Sequence, residues 1–175
     1  MNMTNDTIHK EIKLILLFFA LSFIAAPATA EKEISHGNVS EPQVITEDMK
    51  CPVCGMYPAV SPKWHSQVHF NDGTFLAFDG CKDMFKFLLH ISSYDKKHAK
   101  DDVNAVFVKD FHSGKWINAL DTYFVAGSNV LGPMGKQLIP FSDNDKAMEF
   151  INSNGGEMIR YNNVTMDTIK ALDNS

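Results

Sequence analysis

Cysteine is scarce in this chain: Cys51, Cys54 and Cys81 are the only three among 175 residues. Exported proteins usually pair their thiols, so an odd count fits poorly with a scaffold stapled by disulfides. Cys51 and Cys54 close a small loop and leave Cys81 over, or a metal or a reductant keeps thiols free; counting leaves both open. Basic clusters are also missing. Sixteen Lys and Arg stand against 21 Asp and Glu, a net charge of −5, which excludes nucleic acid and anionic membrane surfaces as expected partners. There is no G-x-S-x-G, no H-E-x-x-H and no glycine loop placed to cradle a phosphate ahead of a helix. The acids are scattered, and no enzyme is expected. Nor does any apolar run reach the roughly 20 residues that span a bilayer comfortably.

The longest apolar run, Leu14 to Ala26, is broken only by Ser22 and follows Lys10 and Lys13. Ala28-Thr29-Ala30 then fits a small-x-small cleavage site, so residues 1–30 read as a signal peptide with Glu31 as the first mature residue. An uncleaved N-terminal anchor is the alternative. No cysteine lies near the cleavage point, so a lipid-anchor cysteine is not expected. What remains falls within the ~100–200 residues of one domain. Residues 31–48, polar and without period, read as a flexible lead-in, and 49–175 as a single domain.

Inside that domain two stretches resemble each other. A strand at His65–Phe70, the turn Asn71-Asp72-Gly73, a strand at Thr74–Phe78 and a helix at Cys81–His90 form the first. In the second, a strand at Tyr123–Ala126, a glycine-rich connection at Leu131–Lys136 and a strand at Gln137–Phe141 lead to a helix capped by Ser142 with Asp145 three residues on. Further strands follow each helix, Val103–Lys109 and Glu157–Tyr161, and a short helix at Thr165–Leu172 closes the chain. The expected fold is α+β, built from duplicated β-β-α-β units at about 49–115 and 116–175.

Chemistry concentrates in Cys51-Pro52-Val53-Cys54-Gly55-Met56. A Cys-x-x-Cys alone fits a disulfide, half a zinc site or a redox centre; a methionine two residues on favours Cu(I), which suits mixed thiolate and thioether ligands. Met56 sits on no periodic face that would explain it as core, and Met134, in Gly132-Pro133-Met134-Gly135, is likewise held in a turn. Cys54, Met56 and Met134 are therefore the leading candidate ligands, with Cys51 beside them. Cys81 opens a helix, whose dipole is expected to lower its pKa; it is a third sulfur ligand, a resolving thiol or a buried small residue. His65 and His69, four apart on a strand, lie about 13 Å from each other and are not expected to share a metal; either could supply a single ligand, and each otherwise reads as a surface residue.

These segments, with Phe78-Asp79-Gly80-Cys81-Lys82-Asp83-Met84-Phe85-Lys86-Phe87 and Val125-Ala126-Gly127-Ser128, resemble the NosL family of copper-binding accessory proteins over roughly Met49 to Val164. The resemblance implies a fold similar to that of organomercurial lyase without its activity. It also implies a periplasmic Cu(I) chaperone serving maturation of nitrous oxide reductase, in denitrification. Its partners would be the reductase or its copper-loading transporter machinery, with membrane proximity through the partner. Cys54 and Met56, with Met134, take the ligand positions. Two other classes stay open: a periplasmic thiol–disulfide oxidoreductase using Cys51 and Cys54, which Pro58 and Pro62 disfavour by blocking an activating helix, and a zinc-stabilised module using Cys51, Cys54, Cys81 and one histidine.

Overall fold

A computed structural model describes residues 41–174. The expected signal peptide, residues 1–30, and the lead-in as far as residue 40 lie outside them.

The first half is built on a hairpin. Strand β1 (Ser66–Phe70) and strand β2 (Phe75–Phe78) pair antiparallel across the Asn71-Asp72-Gly73 turn. Asp72 sets the turn by accepting the Thr74 N–H at 3.0 Å and its hydroxyl at 2.6 Å. Helices α1 (Cys81–Leu89) and α2 (Ile91–Tyr94) follow. Strand β3 (Val103–Lys109) then returns to the free edge of β1, and the short β4 (Trp116–Asn118) extends the sheet to the order β2-β1-β3-β4. The second half runs through β5 (Tyr123–Gly132), β6 (Gly135–Phe141), helix α3 (Asn144–Asn154) and β7 (Glu157–Arg160), with sheet order β6-β5-β7. Each half thus places its first strand between its second and third. Helix α4 (Met166–Asp173) closes the described chain; Thr165 caps it, its hydroxyl accepting the Thr168 N–H.

The two halves share one core. Val68, Phe70, Phe78 and Met84 from the first half pack with Phe124, Leu138 and Ile169 from the second. Phe85 of α1 sits edge-on to Phe124, with ring centroids 5.1 Å apart. Period-2 alternation in β5 and β6 sends Phe124 and Leu138 to this core. It turns Val125, Ile139 and Phe141 to a smaller cluster against Ala147, with Trp64, Phe111 and Phe150 packed on it. Among the described residues no helix is long and apolar enough to cross a membrane.

Several expectations need correction. Residues 41–48 are not all free lead-in: the main chain of Gln43 is gripped by the Gln67 side chain, which accepts its N–H at 2.9 Å and donates to its carbonyl at 2.7 Å. Helix α3 is capped by Asp143, which accepts the Lys146 N–H, because Ser142 is engaged elsewhere, by Asp110. The connection expected at Leu131–Lys136 is a hairpin, with Leu131 paired to Lys136 and Pro133-Met134 as its turn. Strand β5 therefore runs six residues past Ala126, with a register break between Ala126 and Leu131. His69 is fully buried rather than on the surface. Its Nε2 bonds Gln67 Oε1 at 2.7 Å, and its ring lies between Phe75 and Phe107.

Candidate metal centre

The cysteine loop closes on itself. The Gly55 N–H donates to the Cys51 carbonyl at 2.9 Å, and the Cys51 N–H donates to the Met56 carbonyl at 2.8 Å. Gly55 makes this possible with φ of +77°, a left-handed conformation that side-chain-bearing residues avoid. The result is a tight ring with Cys51 1% exposed and Cys54 half-buried.

Both sulfurs meet carboxylates from the strand-to-helix corner that follows β2. Cys51 Sγ donates to Asp83 Oδ2 at 3.6 Å, and Cys54 Sγ donates to Asp79 Oδ1 at 3.3 Å. One ligand atom from each of these four residues lies within 4.8 Å of every other. Asp79 and Asp83 are both buried. Asp79 Oδ2 has no hydrogen-bond partner, an expensive condition for a buried carboxylate oxygen and one that a bound cation relieves. Two thiols, two carboxylates and an orphaned oxygen therefore fit a metal ion.

Burial favours the protonated form of both thiols. Burial pushes the Cys51 thiol up to about 11. Burial also raises Cys54, helped by the neighbouring Asp83 and Cys51, and burial raises Asp83 itself. Metal binding has to displace thiol protons, so it is coupled to pH.

The sulfur residues expected as ligands fall in three places. Cys51 and Cys54 are brought together with Asp79 and Asp83, two residues that sequence reasoning missed. Met56 follows in the same loop, half-buried, with its carbonyl closing the ring. Met134 occupies the tip of the β5–β6 hairpin, 40% exposed. Its carbonyl accepts a hydrogen bond at 2.8 Å from Lys82 Nζ, in the first turn of α1. Cys81 stands apart from the four-residue group: it is buried in the shared core and burial raises its pKa. Desolvation there outweighs the helix dipole that was expected to lower it.

These placements weigh on the alternatives. Among the described residues the candidate group contains neither Cys81 nor a histidine, the ligands that the zinc module needed. A redox pair needs a thiol activated at a helix N-terminus. Here the loop leads only to the 3-10 turns Pro58–Val60 and Pro62–Trp64, and the Cys51 thiol is raised rather than lowered. The acids left one signal, since both lie within the stretch from Phe78 to Phe87 that carried the family resemblance. An Asp-Gly pair before a helix reads more readily as a capping device.

A sequence profile of NosL matches residues 42–169. Among solved structures, the chain is similar to the crystal structure of the copper chaperone NosL from Shewanella denitrificans. The identity is 26%, the coverage 73% of this chain and 97% of that one, and the TM-score 0.61. The solution structure of the apo-NosL protein from Achromobacter cycloclastes matches at 22% identity over 59% of this chain and 87% of that one, with a TM-score of 0.44. No curated protein matches.

Proposed function

This chain belongs to the NosL family, and from that premise we propose that it is a copper chaperone: a non-enzymatic carrier of Cu(I). The observation that carries this reading is the clustered group of Cys51, Cys54, Asp79 and Asp83, with Asp79 Oδ2 unpartnered. Cys54, the more accessible thiol, receives the ion, and Cys51 stands behind it. Met56 and Met134 supply neutral thioethers, which hold a soft monovalent ion without adding charge. Asp79 Oδ1 already accepts the Cys54 hydrogen and is the first stop for the proton that leaves when the thiolate forms. Loops on a rigid scaffold suit ligand exchange with a partner.

A titration of reduced protein against a chromogenic Cu(I) competitor tests this. Cys54→Ala loses the high-affinity site; if it binds as tightly as the parent, the reading fails. Because the thiols are protonated at neutral pH, apparent affinity rises with pH by about tenfold per unit for each proton displaced. The same titration at pH 6, 7 and 8 measures it.

The proposal extends to the route. The protein is exported through its N-terminal signal to the periplasm, and it passes copper to nitrous oxide reductase or to the transporter machinery that loads it. The support is the resemblance set out from the motifs together with the copper chaperone that shares this fold. Copper content of the reductase, measured in cells with and without this gene, decides the matter: full copper centres in its absence refute the assignment.

A further inference from the structure

Lys82 is a buried lysine, only 4% exposed. An ammonium removed from water costs several kcal/mol unless it is paired, so its partners matter. Nζ lies 2.8 Å from Asp173 Oδ1 at the end of α4 and donates to the Met134 carbonyl at 2.8 Å. The second oxygen of Asp173 meets Lys86 Nζ at 3.0 Å. The main chain of Lys82 is engaged as well: its N–H donates to Gln137 Oε1 at 3.1 Å. Gln137 is buried on β6, three residues beyond Met134 at the hairpin tip. Gly80 makes room for it, since a Cβ there would fall 2.6 Å from Gln137 Oε1.

One residue therefore holds the distal part of the β5–β6 hairpin at two points, by side chain at the tip and by backbone at Gln137 on β6. The next residue along, Asp83, faces Cys51. The thiols belong to one half of the fold and Met134 to the other, and Lys82 stands at the joint. Nothing in the hairpin demands a buried ion for its own sake, because an exposed turn carbonyl is satisfied by water.

We infer that Lys82, braced by Asp173, is a positioning residue of the copper site, setting the Met134 thioether relative to the cysteine loop. This rests on the reading above that Met134 is a ligand. Lys82 acts through Met134 and does not touch the ion.

The test is a double-mutant cycle on the full mature chain, read by Cu(I) competition, with thermal unfolding of the metal-free protein alongside. Lys82→Met keeps the aliphatic stem and removes the ammonium; the expected loss of Cu(I) affinity is about 10- to 100-fold, the range for residues that orient ligands. Metal-free stability falls only modestly, because Asp173 is not left as an uncompensated buried charge: its side chain is partly exposed and keeps its ion pair with Lys86. In the Met134→Ala background the same Lys82→Met change costs nothing further. If Lys82→Met unfolds the protein, Asp173→Asn takes its place in the cycle, with a smaller loss that also vanishes in Met134→Ala. Parent-like affinity in Lys82→Met, or losses that add in the double variant, overturn the inference while leaving Met134 a ligand. Parent-like affinity in Met134→Ala instead removes Met134 from the site, and with it the role assigned to Lys82.

Discussion

Twice in this fold a strand ending in phenylalanine runs into a helix, at Phe78-Asp79-Gly80-Cys81 and at Phe141-Ser142-Asp143-Asn144. The strand ends are equivalent, since Phe78 pairs with the first residue of β1 and Phe141 with the first residue of β5. The corners are put to different uses. In the second, Asp143 caps α3 at 2.9 Å, and Ser142 is locked by two 2.6 Å bonds to Asp110. Asp110 also gathers His112 and Ser113, tying the β3–β4 connection to the corner. In the first corner no local side chain caps α1. Asp79 turns to Cys54, Asp83 turns to Cys51, and the cap comes from Gln137 in the other half. The same geometry serves stability in one place. In the other, its acids are released to build a site, at the cost of an orphaned oxygen.

That contrast is open to direct attack, and the largest effect belongs to the second corner. Asp110→Ala abandons five hydrogen bonds to a buried carboxylate. It should cost about 3 kcal/mol of stability in chemical denaturation and leave Cu(I) affinity unchanged in whatever fraction remains folded. Asp79→Asn probes the first corner and should do the reverse. The amide can still accept the Cys54 hydrogen but offers no charge to a cation, so affinity falls by about 10- to 100-fold with metal-free stability close to the parent's. If Asp79→Asn instead destabilises the protein and spares binding, Asp79 is structural and the contrast collapses. Asp143→Ala removes a conventional cap, with an expected cost of about 1 kcal/mol and no effect on copper.

The corners also show what could be read in advance. Strands, turns and the closing helix follow from local patterns: period 2, Asn-Asp-Gly, a short amphipathic run near the end of the chain. The cysteine loop was legible because Cys51, Cys54, Gly55 and Met56 are adjacent in sequence. Asp79 and Asp83 were not, because an acid beside a helix start has two ordinary uses and only the fold decides between them. Gln137 as a cap lies 55 residues from the Lys82 N–H it accepts, beyond the reach of any local rule. Lys82 is opaque for a related reason: a lysine on a helix is normally solvated, and only the Met134 carbonyl and Asp173 make its burial tolerable. His69 was misplaced because both faces of β1 are buried, whereas a half-buried strand would have shown it to water.

The last and smallest effect separates the halves by pH. Every histidine among the described residues precedes residue 113, so between pH 4 and 7 histidine titration belongs to the first half alone. Burial drives His69 down to about 4, below the usual value near 6.5. In that window the unfolded chain takes up a proton that the folded chain refuses. Stability contributed by neutral His69 is therefore present above pH 6.5 and lost as the pH falls towards 4. His98 works in the opposite sense: Asp95 and Asp72 more than offset its desolvation and raise it, so its stabilisation is present below 6.5 and lost as the pH rises through its folded value. His69→Phe isolates the first contribution, because Gln67 Oε1 keeps the Gln43 N–H and the new ring enters an aromatic slot between Phe75 and Phe107. Denaturation at pH 7.5 and pH 5 should show the parent losing more stability than the variant across that interval. An unchanged slope in His69→Phe would show that His69 does not set the stability change across that interval; Asp110, held below its usual range by Ser142 and Ser113, contributes only at pH values below 4.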